Sequence, residues 1–461
     1  MHENRLFHLL PGSFDQGQYV LYWMQQNQRI HFNHALEHAK KIANTVKLPL
    51  VVAFVIFDQY IDANARHYHF MFEGVVELEK GLLAQGISFV ILKGTAKEAL
   101  KPWIEHASAL VMDAGYLREQ RVMRKEVLDL VKQVRPQMLV DLIDDSALVP
   151  PKSVSAKAEY GAYTLRPKIT KLIKQHIDFT QEIHVLNQTP ISLFSSLSVK
   201  NIFDLLPKDN DIKPSLVFHG GESEAQWMLN DFIEHKADRY EESNDPGLNL
   251  TSNLSMYLHF GMISAIDIYL RLEKAVEKGT IRVSAFEAFV EQLIVRRELA
   301  INYVMFWPGY DRFETMTESW AYLTMKDHDD DSRPVIYDLA TIEAGATGDV
   351  YFNAAMREMV LTGYMHNYMR MYWAKKIIEW TPSHREAYQT ILYLNNKYFL
   401  DGRDPNSYTG IAWCFGKHDR PWTERAVFGK LRYMNQAGLL RKFKMDAYLA
   451  RIKKLEDGIE K

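Results

Sequence analysis

Leu48-Pro49-Leu50-Val51-Val52-Ala53-Phe54-Val55-Ile56-Phe57 is an unbroken apolar run without a single charge. It is too short to cross a bilayer and too apolar to keep one face in water. It therefore reads as a strand buried on both sides of a sheet. Working outward, residues 19–24, 87–92, 109–112 and 138–143 read the same way. Between them, residues 33–46, 66–85, 96–106 and 117–133 repeat apolar side chains at helical spacing. Strand–helix alternation of this kind predicts a parallel sheet with helices on both faces. No Gly-x-Gly-x-x-Gly follows the first strand, so a nicotinamide dehydrogenase has no support.

Beyond residue 145 the alternation decays, with Pro150, Pro151, Pro190, Pro207 and Pro214 scattered among polar residues. That stretch reads as a long connector wrapped on the surface. From Glu222 onward the pattern is helical, over 225–244, 263–278, 284–306, 353–380 and 383–398. The expected organisation is an α/β domain over 1–185, a connector over 186–221 and an all-helical domain over 222–461.

The composition, 47% apolar and 25% charged, is that of an ordinary globular chain and argues against long disorder. No apolar run approaches the ~18–20 residues of a membrane span. The start, Met1-His2-Glu3-Asn4-Arg5, lacks the apolar core of a signal peptide. One cysteine, Cys414, leaves no internal disulfide and fits a reducing, cytoplasmic location. The net charge is only −3, yet residues 351–461 carry 19 Lys/Arg against 11 Asp/Glu. A basic C-terminal quarter on an acidic body suggests a face that meets phosphates.

Residues 364–380 hold the densest cluster of aromatic and methionine side chains, with Trp373 and Trp380 seven apart on one helix face. Alone, that is a core stripe. The next segment is more specific. Leu394-Asn395-Asn396-Lys397-Tyr398 precedes Asp401-Gly402-Arg403-Asp404-Pro405-Asn406-Ser407-Tyr408. Then come Gly410-Ile411-Ala412-Trp413, His418-Asp419-Arg420 and Phe428-Gly429-Lys430-Leu431-Arg432-Tyr433-Met434. Together with residues 22–24, 33–36, 254–261 and 293–299, in order, these motifs resemble the class II cyclobutane pyrimidine dimer photolyases of the photolyase/cryptochrome superfamily.

The resemblance implies a Rossmann-like α/β antenna domain followed by an all-α domain that binds FAD. It implies light-driven repair, in which excited reduced FAD passes an electron to a pyrimidine dimer flipped out of DNA. A deazaflavin or folate antenna is expected at the C-terminal edge of the sheet, with damaged DNA as partner. No metal, no membrane and a monomeric state are expected. By position, Ser252, Asn253, Leu254 and Ser255 cradle the FAD phosphates, with Tyr240 against the cofactor. Asn395 faces the flavin N5, Arg370 and Asp401 pair beside the ring, and Asp404 and Asn406 belong to the same loop. Trp373 and Trp380 are members of the electron relay, while Met371, Trp413, Arg420 and Arg432 clamp the dimer and its DNA. Lys430, Arg441, Lys442 and Lys444 extend the phosphate track.

Two departures matter. Gln292 stands where the family has a glutamate that supports the dimer, and Glu291 lies about 100° around an α-helix from it. Phe352 stands where the family has the middle tryptophan of the relay. Tyr351, Tyr364, Tyr368 and Tyr372 are the candidates to bridge that gap. Ile301 and Ser407 also replace the usual Asp and Gly. These changes keep a second reading open, a cryptochrome-like photoreceptor or DNA-binding protein with weak or lost repair. The acidic run Asp327-His328-Asp329-Asp330-Asp331 has the wrong spacing for a metal and reads as a solvated loop. His67 and His69 read as surface histidines.

Overall fold

The structure is a computed structural model that describes residues 3–14, 17–179, 182–208 and 212–458. Six strands, β1 (Leu6–Leu10), β2 (Tyr19–Trp23), β3 (Leu50–Ile56), β4 (Ser88–Lys93), β5 (Ala107–Asp113) and β6 (Leu139–Ile143), form one sheet. Their order is β1-β6-β5-β2-β3-β4. Strands β2 to β6 run parallel, as their apolar runs predict, and every residue of β2, β3 and β5 is buried. The antiparallel edge strand β1 is an addition to the expected sheet. It is short and incompletely buried, so it lacks the signal that betrays the others. Helices α1 (His34–Val46), α2 (Ala65–Ala84), α3 (Ala96–Ile104) and α4 (Arg118–Val134) cover the two faces. Asn33 and Thr95 cap α1 and α3 by accepting the N–H groups of Leu36 and Glu98.

The chain reverses its winding between β2 and β5, where doubly wound sheets open a crevice. Here Asp113 fills it. Its Oδ2 accepts the backbone N–H groups of Gln25, Gln26 and Asn27 at 2.9, 2.8 and 3.0 Å, while Oδ1 takes Arg124 Nη2 at 2.8 Å.

The second half is helical. The expected helix over 353–380 is two, Val350–Thr362 and Asn367–Trp380. Gly363, at φ +74°, ends the first in a left-handed cap. The expected helix over 284–306 runs from Val283–Val290 to Arg297–Phe306 through one wide π turn, Glu291–Arg296. The expected helix over 225–244 is Glu222–His235 followed by a 3-10 turn, Ala237–Glu242.

The two halves share the chain between them unevenly. Leu148, Leu165, Ile169 and Ile173 are buried in the same core as Phe232, Tyr257 and Leu293 of the helical half. Val185 and Ile202 return to the core of the sheet beside Val20 and Phe54. Buried Glu298 fixes the crossing at residue 148 by accepting the N–H of Leu148 at 2.6 Å and that of Val149 at 3.2 Å. Burial pushes its carboxyl up to about 8.

Candidate functional site

Asn395 ends a helix, His384–Tyr398, and is buried, with its Nδ2 donating to Asn396 Oδ1 at 3.0 Å. The loop that follows brings Asp401 to Arg370 in a two-pronged ion pair, 3.0 Å in both arms. Arg370 also donates through Nε to Met365 O at 2.9 Å, and its guanidinium lies 4.0 Å from the centre of the Phe399 ring. The expected pair is therefore made, and its cation is held on three sides. Gly402 has to be small: a Cβ there would meet the carbonyls of Asn395 and Phe399, both at 2.9 Å. Ser407, the replacement for glycine, donates to Asp401 O at 3.1 Å and so braces the loop. Asp404 caps helix Pro405–Cys414 by accepting Asn406 N at 2.9 Å, and its Oδ2 meets His259 Nδ1 at 3.2 Å.

The α/β half grips this loop. Asn64 Nδ2 donates to Lys397 O at 2.7 Å, and Asn396 Nδ2 donates to Asp62 Oδ2 at 3.0 Å. His67 belongs to the same contact and is not a surface residue. It is 3% exposed, its Nδ1 accepts Asn64 N, and its Nε2 donates to Phe399 O at 3.0 Å. Burial, then the charge of Arg403, pushes this imidazole well below its ordinary value, so it stays neutral. Its neighbour His69 is half-buried and faces Glu73 at 3.7 Å. Ring burial at His67 depends on residues more than 330 positions away, which local sequence cannot report.

Ser252, Asn253 and Leu254 lead into the short helix Ser255–Phe260. Asn253 adopts φ +55°, with its Oδ1 accepting Thr251 Oγ1 at 3.1 Å. Leu254 is buried, Ser252 and Asn253 are half-buried and Ser255 is exposed. Tyr240 packs edge-on to Phe289 at 4.9 Å. Arg297, Asp404, Asn406, His259 and Ser146 line one small cavity between the halves. Arg297 Nη1 is buried there without a protein partner.

Gln292 lies exposed on the π turn. Glu291 cannot replace it. Arg166 holds its carboxylate through two bonds at 2.9 and 2.7 Å, and Arg296 Nε adds a third at 3.0 Å. Burial pulls this carboxyl up, but Arg166 and Arg296 outweigh it and hold it below the usual range. The π turn means that the α-helical 100° spacing is not the local geometry.

At the far end of helix Pro405–Cys414, Trp413 is half-buried under Arg432, whose guanidinium lies 5.8 Å from its ring. Arg432 also stacks 4.6 Å over Trp422, and Arg420 lies 5.6 Å from the same ring. Asp419 ties the group together, accepting Trp422 Nε1 at 3.2 Å and facing Arg432 Nε at 3.6 Å. Trp422 was not among the expected residues, although its place two positions after Arg420 is a readable signal. Met371 is half-buried, and Lys430, Arg441, Lys442 and Lys444 are exposed.

Residues 20–187 match the DNA photolyase family, and residues 289–425 match the FAD binding domain of DNA photolyase. The deoxyribodipyrimidine photo-lyase of Methanothermobacter thermautotrophicus is 41% identical over 96% of both chains. That of Arabidopsis thaliana is 38% identical over 95% of this chain and 89% of its own. The chain belongs to the DNA photolyase family. Solved structures share the fold. A bacterial class III photolyase from Agrobacterium tumefaciens superposes with a TM-score of 0.75 at 19% identity, over 97% of this chain and 90% of its own. A Synechocystis cryptochrome gives 0.73 at 16% identity, over 94% and 88%.

FAD is the cofactor of this photolyase-type enzyme, and the residues present fit it. Arg297 Nη1, buried and unpaired beside the Asp404 loop, is a donor waiting for an acceptor. The Arg370–Asp401 pair next to Asn395 offers the polar edge that a flavin ring needs. A second cleft beyond the sheet's C-terminal edge is lined by Gln25, Phe57, Tyr60, Tyr68 and His259.

Of the two tryptophans expected in the relay, Trp373 is buried with its Nε1 on Met356 Sδ at 2.9 Å. Trp380 is buried edge-on to Phe352 at 5.0 Å and to Tyr337 at 5.2 Å. Helix Val350–Thr362 thus presents Phe352 to one tryptophan and Met356 to the other. The expected bridging tyrosines point elsewhere: Tyr364 meets Phe218, Tyr368 meets Phe443 and Tyr372 donates to Asp349. Tyr351 is half-buried, with no ring contact to either tryptophan.

The acidic run is tied down by protein partners. His328 Nδ1 meets Asp331 at 2.7 Å, Asp329 holds His384, and Asp331 accepts Val427 N. No group of three or more metal-binding side chains occurs among the described residues. No described helix is long and apolar enough to cross a membrane.

Proposed function

We propose that this protein repairs cyclobutane pyrimidine dimers in DNA by light, as a class II photolyase working as a cytoplasmic monomer. The observation that carries this reading is helix Pro405–Cys414. It starts at the flavin loop with Asp404 and ends at Trp413 under Arg432. Ten residues of α-helix span about 15 Å, a rigid spacer between cofactor and substrate. A protein with no dimer to hold would have little use for Trp413, Trp422, Arg420 and Arg432 in one cluster.

When bound and reduced, FAD would supply on illumination the electron that opens the cyclobutane ring and would take it back once the two pyrimidines have separated. Arg370 and Asp401 fix the loop against which the flavin packs, and Asn395 offers a neutral amide at the ring edge. Trp413 gives the flipped dimer an apolar platform, while Arg420 and Arg432 meet the phosphates around it. Gln292 can donate a hydrogen bond to a pyrimidine carbonyl but brings no ionisable carboxyl.

A second reading, a flavin photoreceptor with weak or lost repair, is favoured by Gln292 and Phe352. The test is blue-light repair of a thymine-dimer oligonucleotide by purified, chemically reduced protein, with Gln292→Glu alongside. Dimer loss in the wild type is the expected result, with the variant faster. FAD-loaded wild type that leaves dimers intact while the variant removes them would give the photoreceptor reading the lead.

A further inference from the structure

Residues 157–174, which carry helix Ala162–Thr170, enter the site described so far only through Arg166. They hold five basic residues and one acid, Glu159, which is buried and paired with Lys168. Tyr163, Arg166 and Thr170 fall three to four residues apart, Lys171 follows, and all four are exposed, so one outward stripe is basic and aromatic. Tyr163 is 65% exposed and Tyr160 43%, with ring centres 6.1 Å apart. Among the described residues, neither Lys157 nor Lys171 is in an ion pair.

The stripe is fastened to the candidate site at two points. Tyr160 Oη donates to Asp419 O at 3.2 Å, and His418 Nδ1 donates to Tyr160 O at 2.7 Å. Asp419 is the residue that organises Trp422 and Arg432. Farther along, Arg166 forks onto Glu291, the neighbour of Gln292. The aromatic and basic surface of Arg420, Trp422 and Arg432 is therefore joined to this helix through Asp419 and Tyr160.

We propose that helix Ala162–Thr170 and its flanks form a second DNA-binding element. Tyr163 stacks on a base left unstacked beside the flipped dimer, and Lys157 and Lys171 meet phosphates of the duplex. The proposal rests on the repair reading above. Stacking suits this place because flipping two bases leaves neighbours without partners, and every base offers a ring face.

The test is fluorescence anisotropy of FAD-loaded protein with a thymine-dimer duplex at several salt concentrations. Tyr163→Ala is expected to bind roughly tenfold more weakly, the scale of one base–aromatic stack. Tyr163→Phe keeps the ring and should bind like the wild type. The Lys157→Ala, Lys171→Ala double variant should lower the salt slope by about 0.9 for each phosphate it no longer neutralises. FAD content and melting temperature should not change. Variants that match the wild type at every salt overturn the proposal, as does weaker binding that comes with lost FAD or a lower melting temperature. If wild-type protein shows no preference for the dimer duplex, the repair reading itself fails and this element falls with it.

Discussion

Arg370 and Asp401 exchange two 3.0 Å bonds inside the protein, and Arg370 is further held by Met365 O and the Phe399 ring. Arg420, in the segment that follows helix Pro405–Cys414, is exposed, with its guanidinium 5.6 Å from the Trp422 ring. On the side assigned to the cofactor, Arg370 is saturated by its own partners. On the side assigned to DNA, Arg420 is in no ion pair among the described residues, and Arg432 meets Asp419 only at 3.6 Å. A resident group needs a cavity that exists before it arrives, whereas a transient, charged substrate needs donors that have not already been neutralised.

The largest effect should come from breaking the saturated side. Asp401→Ala leaves Arg370 without its carboxylate, and removing one partner of a buried pair costs about 3–5 kcal/mol. Arg370 is half-buried, so the lower end applies, and FAD affinity should fall by roughly a hundredfold. The flavin-to-protein absorbance ratio of purified protein reads it directly. Full flavin content in that variant would mean that the cofactor side is no more pre-organised than the DNA side.

On the open side, Arg432→Ala removes one charge-assisted contact worth about 1.5–3 kcal/mol. Affinity for a dimer duplex should fall ten- to a hundredfold, with flavin content untouched. Arg432→Lys should recover only part, because the charge returns without the planar stack over Trp413 and Trp422. If Arg432→Ala released FAD as well, the two sides would be one cooperative unit and the contrast would fail.

The smallest effect on binding belongs to a residue on neither side. Phe352→Trp should leave both affinities unchanged while speeding the light-driven reduction of oxidised FAD, followed by loss of its visible absorption. Phe352 is fully buried against Trp380, so the larger ring should also cost about 1–3 kcal/mol in stability. Unchanged photoreduction would place the electron path elsewhere, with Tyr337, the other ring on Trp380, the next position to alter.

What the sequence disclosed divides along physical lines. Strands β2 to β6 were legible because burial of most of their residues leaves short runs that are mainly apolar. The Arg370–Asp401 pair was legible through its motif and is made. Strand β1 was not, since an incompletely buried edge of five residues has no such pattern. The break at Gly363 was masked because the helices on either side keep the same periodicity. The core built from Leu148, Leu165 and Ile169 reads as connector because its prolines obscure short helices that are ordered by distant partners. Trp422 and Tyr163 were missed because an aromatic side chain on the surface looks, in sequence, like one in the core.

The grip of Asp62, Asn64 and His67 on Asn396, Lys397 and Phe399 joins residues 332 to 334 positions apart. Closing so long a loop inside one chain is entropically demanding, and it is easiest when one end is already folded. Synthesis provides that order, because the sheet emerges and folds well before residue 395 exists. The α/β half is then a template on which the loop assigned to the flavin is cast. That loop takes its shape from the first domain made.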